Sequence, residues 1–373
     1  MAEYELILTD ASGARLAQID HYLKLDMRLV FNGVGKWLLD LPGSGAGLFA
    51  WGRRLLVRRD GIDFFSGPMF SLRHSWEAGI GTERDEITVS GFDDAYLLQN
   101  RVTWPEVAGN FYTQAYDVRT GACETVLKQY VNYNLGPGAV PPRRAGITIE
   151  TDTAKGSTVT GRARWNDMLP FLIELAEVGG GLGFRMVSLQ FQVYQPADKT
   201  ATVKFSKENG TLAGYEYEAK APTGNHCKVL GGGEGTARTI CETSDPVSIV
   251  RHGRIEMTRD RRDTTDTLEL DQSGRDELAA RQESLSLALT PRETLGMSAY
   301  TDWWLGDKVA AVVDDQIITE VIREISVALT YNKGEVIMPI VGTSGAVGFD
   351  HPLMSLLEAT RNLNLRMTNQ ERR

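Results

Sequence analysis

Cysteine is scarce in this 373-residue chain. Cys123, Cys227 and Cys241 are too few and too scattered to staple a fold, and an odd number of thiols cannot all pair within one molecule, so folding in a reducing compartment is expected. Long apolar runs are missing as well: no stretch reaches the roughly 18 residues that a membrane-spanning helix needs. The start, Met1-Ala-Glu-Tyr-Glu, carries early acids where a secretory signal would place an apolar core. Basic excess is absent too. Forty Lys and Arg stand against 49 Asp and Glu, a net charge of −9 with pI near 5.3. That balance argues against a chain that grips the outside of duplex DNA, but not against one lining a channel through which DNA slides. No low-complexity tract and no repeat of 20 to 50 residues is visible.

What remains is ordinary globular material, 42% hydrophobic and 24% charged. At about 150 residues per domain the length gives two to three domains. From Tyr4 to about Asp94 short apolar runs alternate with Gly, Asp and Pro: Tyr4 to Thr9, Leu25 to Phe31, Lys36 to Leu41, and the pair Leu55 to Arg59 and Ile62 to Phe65 around Asp60-Gly61. An Asp-Gly between two apolar runs predicts a hairpin, because both central residues of a type I′ turn need positive φ. Strands at this spacing predict a small β-barrel or sandwich.

The pattern then changes. Cys123, Leu127, Tyr130 and Val131 fall on one helical face, closed by Leu135-Gly136-Pro137. Met168, Leu169, Leu172, Leu175 and Ala176 do the same between about Asp167 and Val178, with Gly179 to Gly181 as the stop. Leu189, Phe191 and Val193 alternate with polar residues, as do Val203 and Phe205, and the Pro-Ala-Asp-Lys between them predicts one hairpin. Strands resume near Leu212 with Tyr215 and Tyr217, then Val247 to Val250 and Ile255 to Thr258, a polar helix near Arg275 to Glu283, and a meander from Val309 to Ile340 through Asp314-Asp315 and Asn332-Lys333-Gly334. Asp350-His351-Pro352 starts a closing helix.

Few constellations carry chemistry. Gly43-Ser-Gly45-Ala-Gly47 and Gly179 to Gly183 lack the strand-Gly-helix order of a pyrophosphate cradle, and Gly33-Val-Gly35-Lys36 lacks the rest of a P-loop, so these glycines are expected in turns. His226-Cys227 with Cys241 has no paired CxxC or HExxH beside it, and no metal or cofactor is expected. The acid pairs Asp93-Asp94 and Asp314-Asp315, and the acids between Asp260 and Asp276, are adjacent in sequence, which does not place two carboxyls across a cleft. Trp303-Trp304 is expected as a buried plug, with a sugar-stacking platform as the other use of such a pair. From Arg251 to Asp263 arginines alternate with acids, which suits an ion-pair network at a contact better than a phosphate patch.

Several segments together resemble the tail-hub (baseplate hub) proteins of siphophages that infect actinobacteria. They are Leu175 to Phe184, Phe191 to Asp198, Val203 to Ser206, Asn209 to Leu212, Asn225 to Arg238, and Arg254-Ile255-Glu256 leading to Asp260-Arg261, in that order. The resemblance implies a mixed, β-rich α+β fold with two tail-tube-like β-barrels in one chain: a first barrel at 1–104, an α+β insert at 105–205, a second barrel at 206–348, and a C-terminal helix and tail at 349–373. It implies a homotrimeric ring whose six barrels adapt a six-fold tail tube to a three-fold tip. Its neighbours would be the distal tail protein or tail tube, the tape-measure protein, and fibre or receptor-binding tip proteins. The place implied is the distal end of a virion tail assembled in the host cytoplasm.

Three copies at −9 each would carry −27 formal charges, and an acid-biased lumen repels the DNA backbone so that the genome passes without sticking. No catalysis is expected. Hubs that carry a wall hydrolase bear it beyond the closing helix, so cutting is expected to reside on another protein. The alternative is a tail-associated glycan-binding or cell-wall hydrolase module, motivated by Trp303-Trp304 and the acid pairs. Arg254, Glu256 and Arg261 are the residues expected near an inter-subunit or inter-domain contact.

Overall fold

A computed structural model of the chain describes residues 3–78, 83–109, 113–262, 264–292, 294, 297–313, 316–330 and 334–342. They fall into two units interleaved along the sequence. One comprises Met1–Asp198, Ala299–Lys308 and Glu324–Pro339; the other comprises Lys199–Ser298, Val309–Arg323 and the described residues from Ile340 on.

The first unit begins with β1 (Tyr4–Thr9), β2 (Arg15–Gln18), β3 (Lys24–Val30), β4 (Lys36–Pro42), β5 (Arg54–Arg59), β6 (Ile62–Ala78) and β7 (Glu83–Phe92). Every second residue faces the core: Leu25, Met27 and Leu29 on β3, Trp37, Leu39 and Leu41 on β4, Ile87 and Val89 on β7 are all buried. The register sets Leu25 opposite Leu39, and Leu39 opposite Val89. Each such burial contributes about 1.5–3 kcal/mol, and a one-residue slip would turn the whole row to water, so the apolar face fixes the pairing. The Asp60-Gly61 turn forms as the sequence predicts, with φ of 51° and 78° between β5 and β6.

β6 turns a corner. It pairs with β5 up to Pro68 and with β7 from Met69 onward, with a register shift between Met69 and Ser71. Gly67 sits at this corner beneath the crossing chain. A Cβ there would lie 2.7 Å from the Cα of Asp93, while Asp94 N–H donates to Ser66 O at 2.9 Å. Pro68 follows, where its missing N–H costs no ladder bond on the side being vacated.

The insert follows: α1 (Tyr96–Gln99), β8 (Asp117–Ala122), α2 (Cys123–Asn134), β9 (Thr148–Ile149), β10 (Thr158–Ala163), α3 (Met168–Val178), β11 (Gly183–Val187) and β12 (Gln190–Tyr194). Both helices match the periodicity read from the sequence. Leu127, Tyr130, Val131, Leu172, Ala176 and Phe191 share one buried cluster. The hairpin expected from 189 to 205 is not formed. β12 pairs antiparallel with β11 through Ser188-Leu189, both at positive φ (51° and 59°), and pairs in parallel with β9.

In the second unit β13 (Lys204–Phe205) precedes β14 (Leu212–Lys220), β15 (His226–Leu230), β16 (Ile240–Ser244), α4 (Pro246–His252), β17 (Glu256–Asp260), α5 (Thr267–Arg281) and β18 (Ser284–Pro291). β19 (Lys308–Val313), β20 (Gln316–Thr330) and β21 (Gly334–Gly342) contribute residues to both units. β14 pairs antiparallel with β18, whose residues Ser286 to Ala288 pair with Gly342 to Ile340. A separate sheet, β16-β15-β17, packs Cys227 and Val229 against Leu270 of α5. Val247 to Val250, expected as a strand, are helical. Asp245 accepts hydrogen bonds from Val247 N and Ser248 N, both at 3.0 Å, and Pro246 occupies the first helical position, so the cap overrides the β-branched run. α5 is longer than expected, starting at an Asp266 cap.

No closed barrel is present among the described residues. In the first unit the ladder order is β20 (Glu324–Thr330), β3, β4, β7, β6, β5, β1, β2, and no ladder joins β2 back to β20. β2 has four residues, and its pairing with β1 shifts register between Leu8 and Thr9, which ends the layer in a short edge. The closing helix expected from Asp350, and the turns at Asp314-Asp315 and Asn332-Lys333, lie outside the described residues.

Candidate functional site

The three residues expected at a contact are not brought together. Arg254 ends the loop before β17, where His226 of β15 stands opposite Glu256. Arg254 donates through Nε to Glu256 Oε1 at 2.8 Å and through a terminal NH2 to His226 Nε2 at 3.0 Å. His226 Nε2 also lies 3.5 Å from Glu242 Oε2, and its Nδ1 is a buried atom with no partner among the described residues. Arg261 lies beyond the far end of the five-residue β17, roughly 20 Å away along an extended chain, its backbone N–H on Leu230 O at 2.8 Å.

The charge run thus resolves into pairs at two ends of one strand. Arg254 with Glu256 is exposed at one end; Arg238 and Arg262 both reach Asp260, at 2.6 and 3.0 Å, at the other. Exposed pairs of this kind contribute about 0–1 kcal/mol each, so they add little to the fold and are free to exchange partners.

A second surface was not legible as one. The outer half of β6 runs on beyond the layer that covers its inner half, and Phe70, Leu72 and Trp76 are 55%, 38% and 60% exposed. Leu72 stands opposite Val89 and His74 opposite Ile87, so this stretch continues the face that is core further in. β5 has ended by then, and no strand among the described residues pairs with the other edge of β6 beyond Pro68. Period-two alternation marks the strand in the sequence, but not the point where its cover stops.

The other sequence candidates are occupied by structural work. Asp94 is buried in an ion pair with Arg54, and its Oδ2 accepts from Ser66 Oγ at 2.6 Å and Leu189 N at 2.9 Å. Asp93 accepts from Ala95 N at 3.1 Å at the start of α1. Burial pushes the Asp93 carboxyl up to about 7, with the Asp94 charge adding to the rise. Trp303 is buried, as a plug would be, while Trp304 is half-buried beside Tyr300. Gly180 and Gly181 supply positive φ after α3 (102° and 72°), and the Gly43–Leu48 segment is a 3-10 turn. Among the described residues no three His, Cys, Asp or Glu side chains converge as a metal site, and no helix is long and apolar enough to cross a membrane.

This arrangement of strands and insert is the fold of phage tail proteins. The 43 kDa tail protein of prophage MuSo2 from Shewanella oneidensis superposes with a TM-score of 0.52 at 12% identity, over 90% of this chain and 97% of that one. The tail protein from Neisseria meningitidis MC58 gives 0.53 at 13% identity, over 91% and 97%. More particularly, residues 5–343 match the Siphovirus ReqiPepy6 Gp37-like protein family, and the chain belongs to it. No curated protein sequence matches the chain.

Proposed function

We propose that this protein is a structural, non-catalytic hub of a long-tailed phage, a homotrimeric ring at the distal end of the tail through which DNA passes without specific binding. The observation that carries the proposal is the tail-protein fold over nearly the full length of both chains compared. The open layer in the first unit supports it physically. A layer that ends in a short β2 edge and leaves Phe70, Leu72 and Trp76 partly exposed has surface that neighbours in a ring would cover.

On this reading the tail-tube-like cylinders are completed by assembly, with 1–104 and 206–348 as the tube-like parts and 105–205 as the insert. The distal tail protein or tube, the tape-measure protein, and fibre or tip proteins are the partners. Assembly takes place in the host cytoplasm. Asp93 and Asp94 are held in structural contacts, which favours the scaffold over the wall-hydrolase alternative.

A three-dimensional reconstruction of the tail tip tests the proposal: three copies around the bore are expected, and six copies or a lone copy would refute it. Arg254, Glu256 and Arg261 are proposed to lie near a contact between subunits or units. Arg254→Ala is then expected to lower trimer yield severalfold while changing the isolated chain's unfolding free energy by under about 1 kcal/mol; equal effects on both would remove the contact role.

A further inference from the structure

A concavity of about 430 Å³ opens in the first unit, with walls from the end of β5, the start of β6, β11, β12 and the 299–308 segment. Its volume lies in the range of about 300–1,000 Å³ typical of small-molecule sites. One wall is rigid. Arg59 lies 4.3 Å from the Tyr300 ring centre, and it donates to Tyr4 Oη at 3.1 Å and to Glu335 Oε1 at 3.4 Å. Tyr4 also donates to Glu335, so the donors of this knot are spent on one another.

The opposite wall is not spent. Arg185 gives Nε to Gln192 Oε1 at 2.9 Å, and no carboxylate among the described residues comes within ion-pair distance of it. Burial holds this guanidinium below its ordinary value. Trp304, Tyr300 and Phe64 present ring carbon between the two walls, with Trp304 5.2 Å from Tyr300 and 6.1 Å from Phe64. Asp63 and Glu150 also line the space, Asp63 with its Oδ1 2.7 Å from Arg58 Nε and Glu150 with its Oε2 3.3 Å from Lys128 Nζ, so the lining carries as many carboxylates as guanidiniums.

We infer that this concavity binds a neutral sugar, a mono- or disaccharide unit whose C–H face packs on Trp304 and whose hydroxyls bridge Arg185, Gln192 and Glu150. A phosphate or a carboxylate is disfavoured because Arg59 is already held by Glu335 and the two carboxylates of the lining, Asp63 and Glu150, would face the bound anion across a space of this size. Rings interleaved with both donors and acceptors disfavour a purely apolar ligand. A hydroxylated ring satisfies both requirements, since it offers C–H groups to the aromatic carbon and O–H groups that donate and accept.

Isothermal titration of the full chain with chitobiose, cellobiose and lactose tests the inference. At least one is expected to bind saturably with a Kd of about 1 mM, as suits a site of this size and exposure. Arg185→Gln and Trp304→Ala should each weaken that binding at least about tenfold. Arg185→Gln should leave the circular-dichroism melt unchanged, which separates a lost ligand contact from a lost fold. Retention on insoluble chitin would assign the site to a glycan polymer, and competition by free disaccharide alone would assign it to a soluble sugar. No saturable binding of any probe, or equal binding by both variants, overturns the inference. Tail assembly by Arg185→Gln should be normal, so failure here is distinguishable from failure of the hub proposal.

Discussion

Asp93→Asn should make this protein more stable at pH 8 and remove part of its dependence on pH. The Asp93 carboxyl is lifted from 3.8 to about 7 chiefly by burial, aided by Asp94, while backbone N–H groups of Gly35, Ala95 and Tyr96 pull the other way. An acid whose folded value is raised binds more protons folded than unfolded at intermediate pH. Its stabilising contribution is therefore complete below pH 3.8, declines as pH rises, and is gone above about pH 7. The full rise corresponds to about 4 kcal/mol at 1.36 kcal/mol per unit. Partial solvent access reduces the pH-dependent part of this to about 2 kcal/mol, and the acceptor that an amide gives up is a smaller cost, the same at every pH. Urea unfolding of both proteins at pH 4, 6 and 8, at concentrations too low for assembly, measures the difference. Asp93→Asn should gain about 2 kcal/mol on wild type between pH 4 and pH 8; a difference that stays constant across that range would refute the assignment of the penalty to a buried charge.

Gly67→Ala should destabilise by more than about 3 kcal/mol, because the new methyl meets backbone at Phe92 and Asp93 where β6 turns its corner, and a rigid crossing cannot yield; a thermal melt within a degree or two of wild type would contradict this. Glu124→Gln should cost about 2–3 kcal/mol near neutral pH, less than a fully orphaned buried charge, since Lys128 lies 2.6 Å from the carboxylate and would keep only the partly exposed Glu150, 3.3 Å away, as counter-charge. Burial raises the Glu124 value, but Lys128, Lys155 N–H and Thr153 outweigh it and hold it at about 2. The wild type should therefore lose this contribution as pH falls from 4.5 toward about 2, and Glu124→Gln should lack that acid limb in pH-dependent unfolding.

What could be read in the sequence follows the range of the forces involved. β3, β4, α2 and α3 are local patterns with one buried face, β1 is a short apolar run buried on both faces, and Asp60-Gly61 announces its own geometry. The helix at Val247 to Val250 was announced by Asp245-Pro246, a two-residue cap signal that the β-branched run after it obscures. The corner in β6 was half legible, as Gly67-Pro68 inside an apolar run, but which chain crosses there is a tertiary fact. That no closed barrel forms among the described residues was not legible, because closure depends on which edges meet rather than on how each strand reads. The site residues divide in the same way. Arg254 and Glu256 are two apart on adjoining extended backbone and meet, whereas Arg261 is carried off by the length of β17.

The β11–β12 turn shows most clearly why composition can mislead. Ser188-Leu189 has both residues at positive φ, a geometry normally supplied by Asn-Gly, and no turn signal marks it. The side chain explains the choice: Leu189 is 5% exposed and packs in the insert core, and its N–H is held by Asp94. Leu189→Gly would relieve left-handed strain of about 1 kcal/mol but empty a buried leucine site, at about 2–5 kcal/mol. The net expectation is a loss of about 1–4 kcal/mol, read as a lower urea midpoint at unchanged slope. A neutral or stabilised Leu189→Gly would show that backbone preference governs this turn, and that the hairpin is held by something other than the core contact of its second residue.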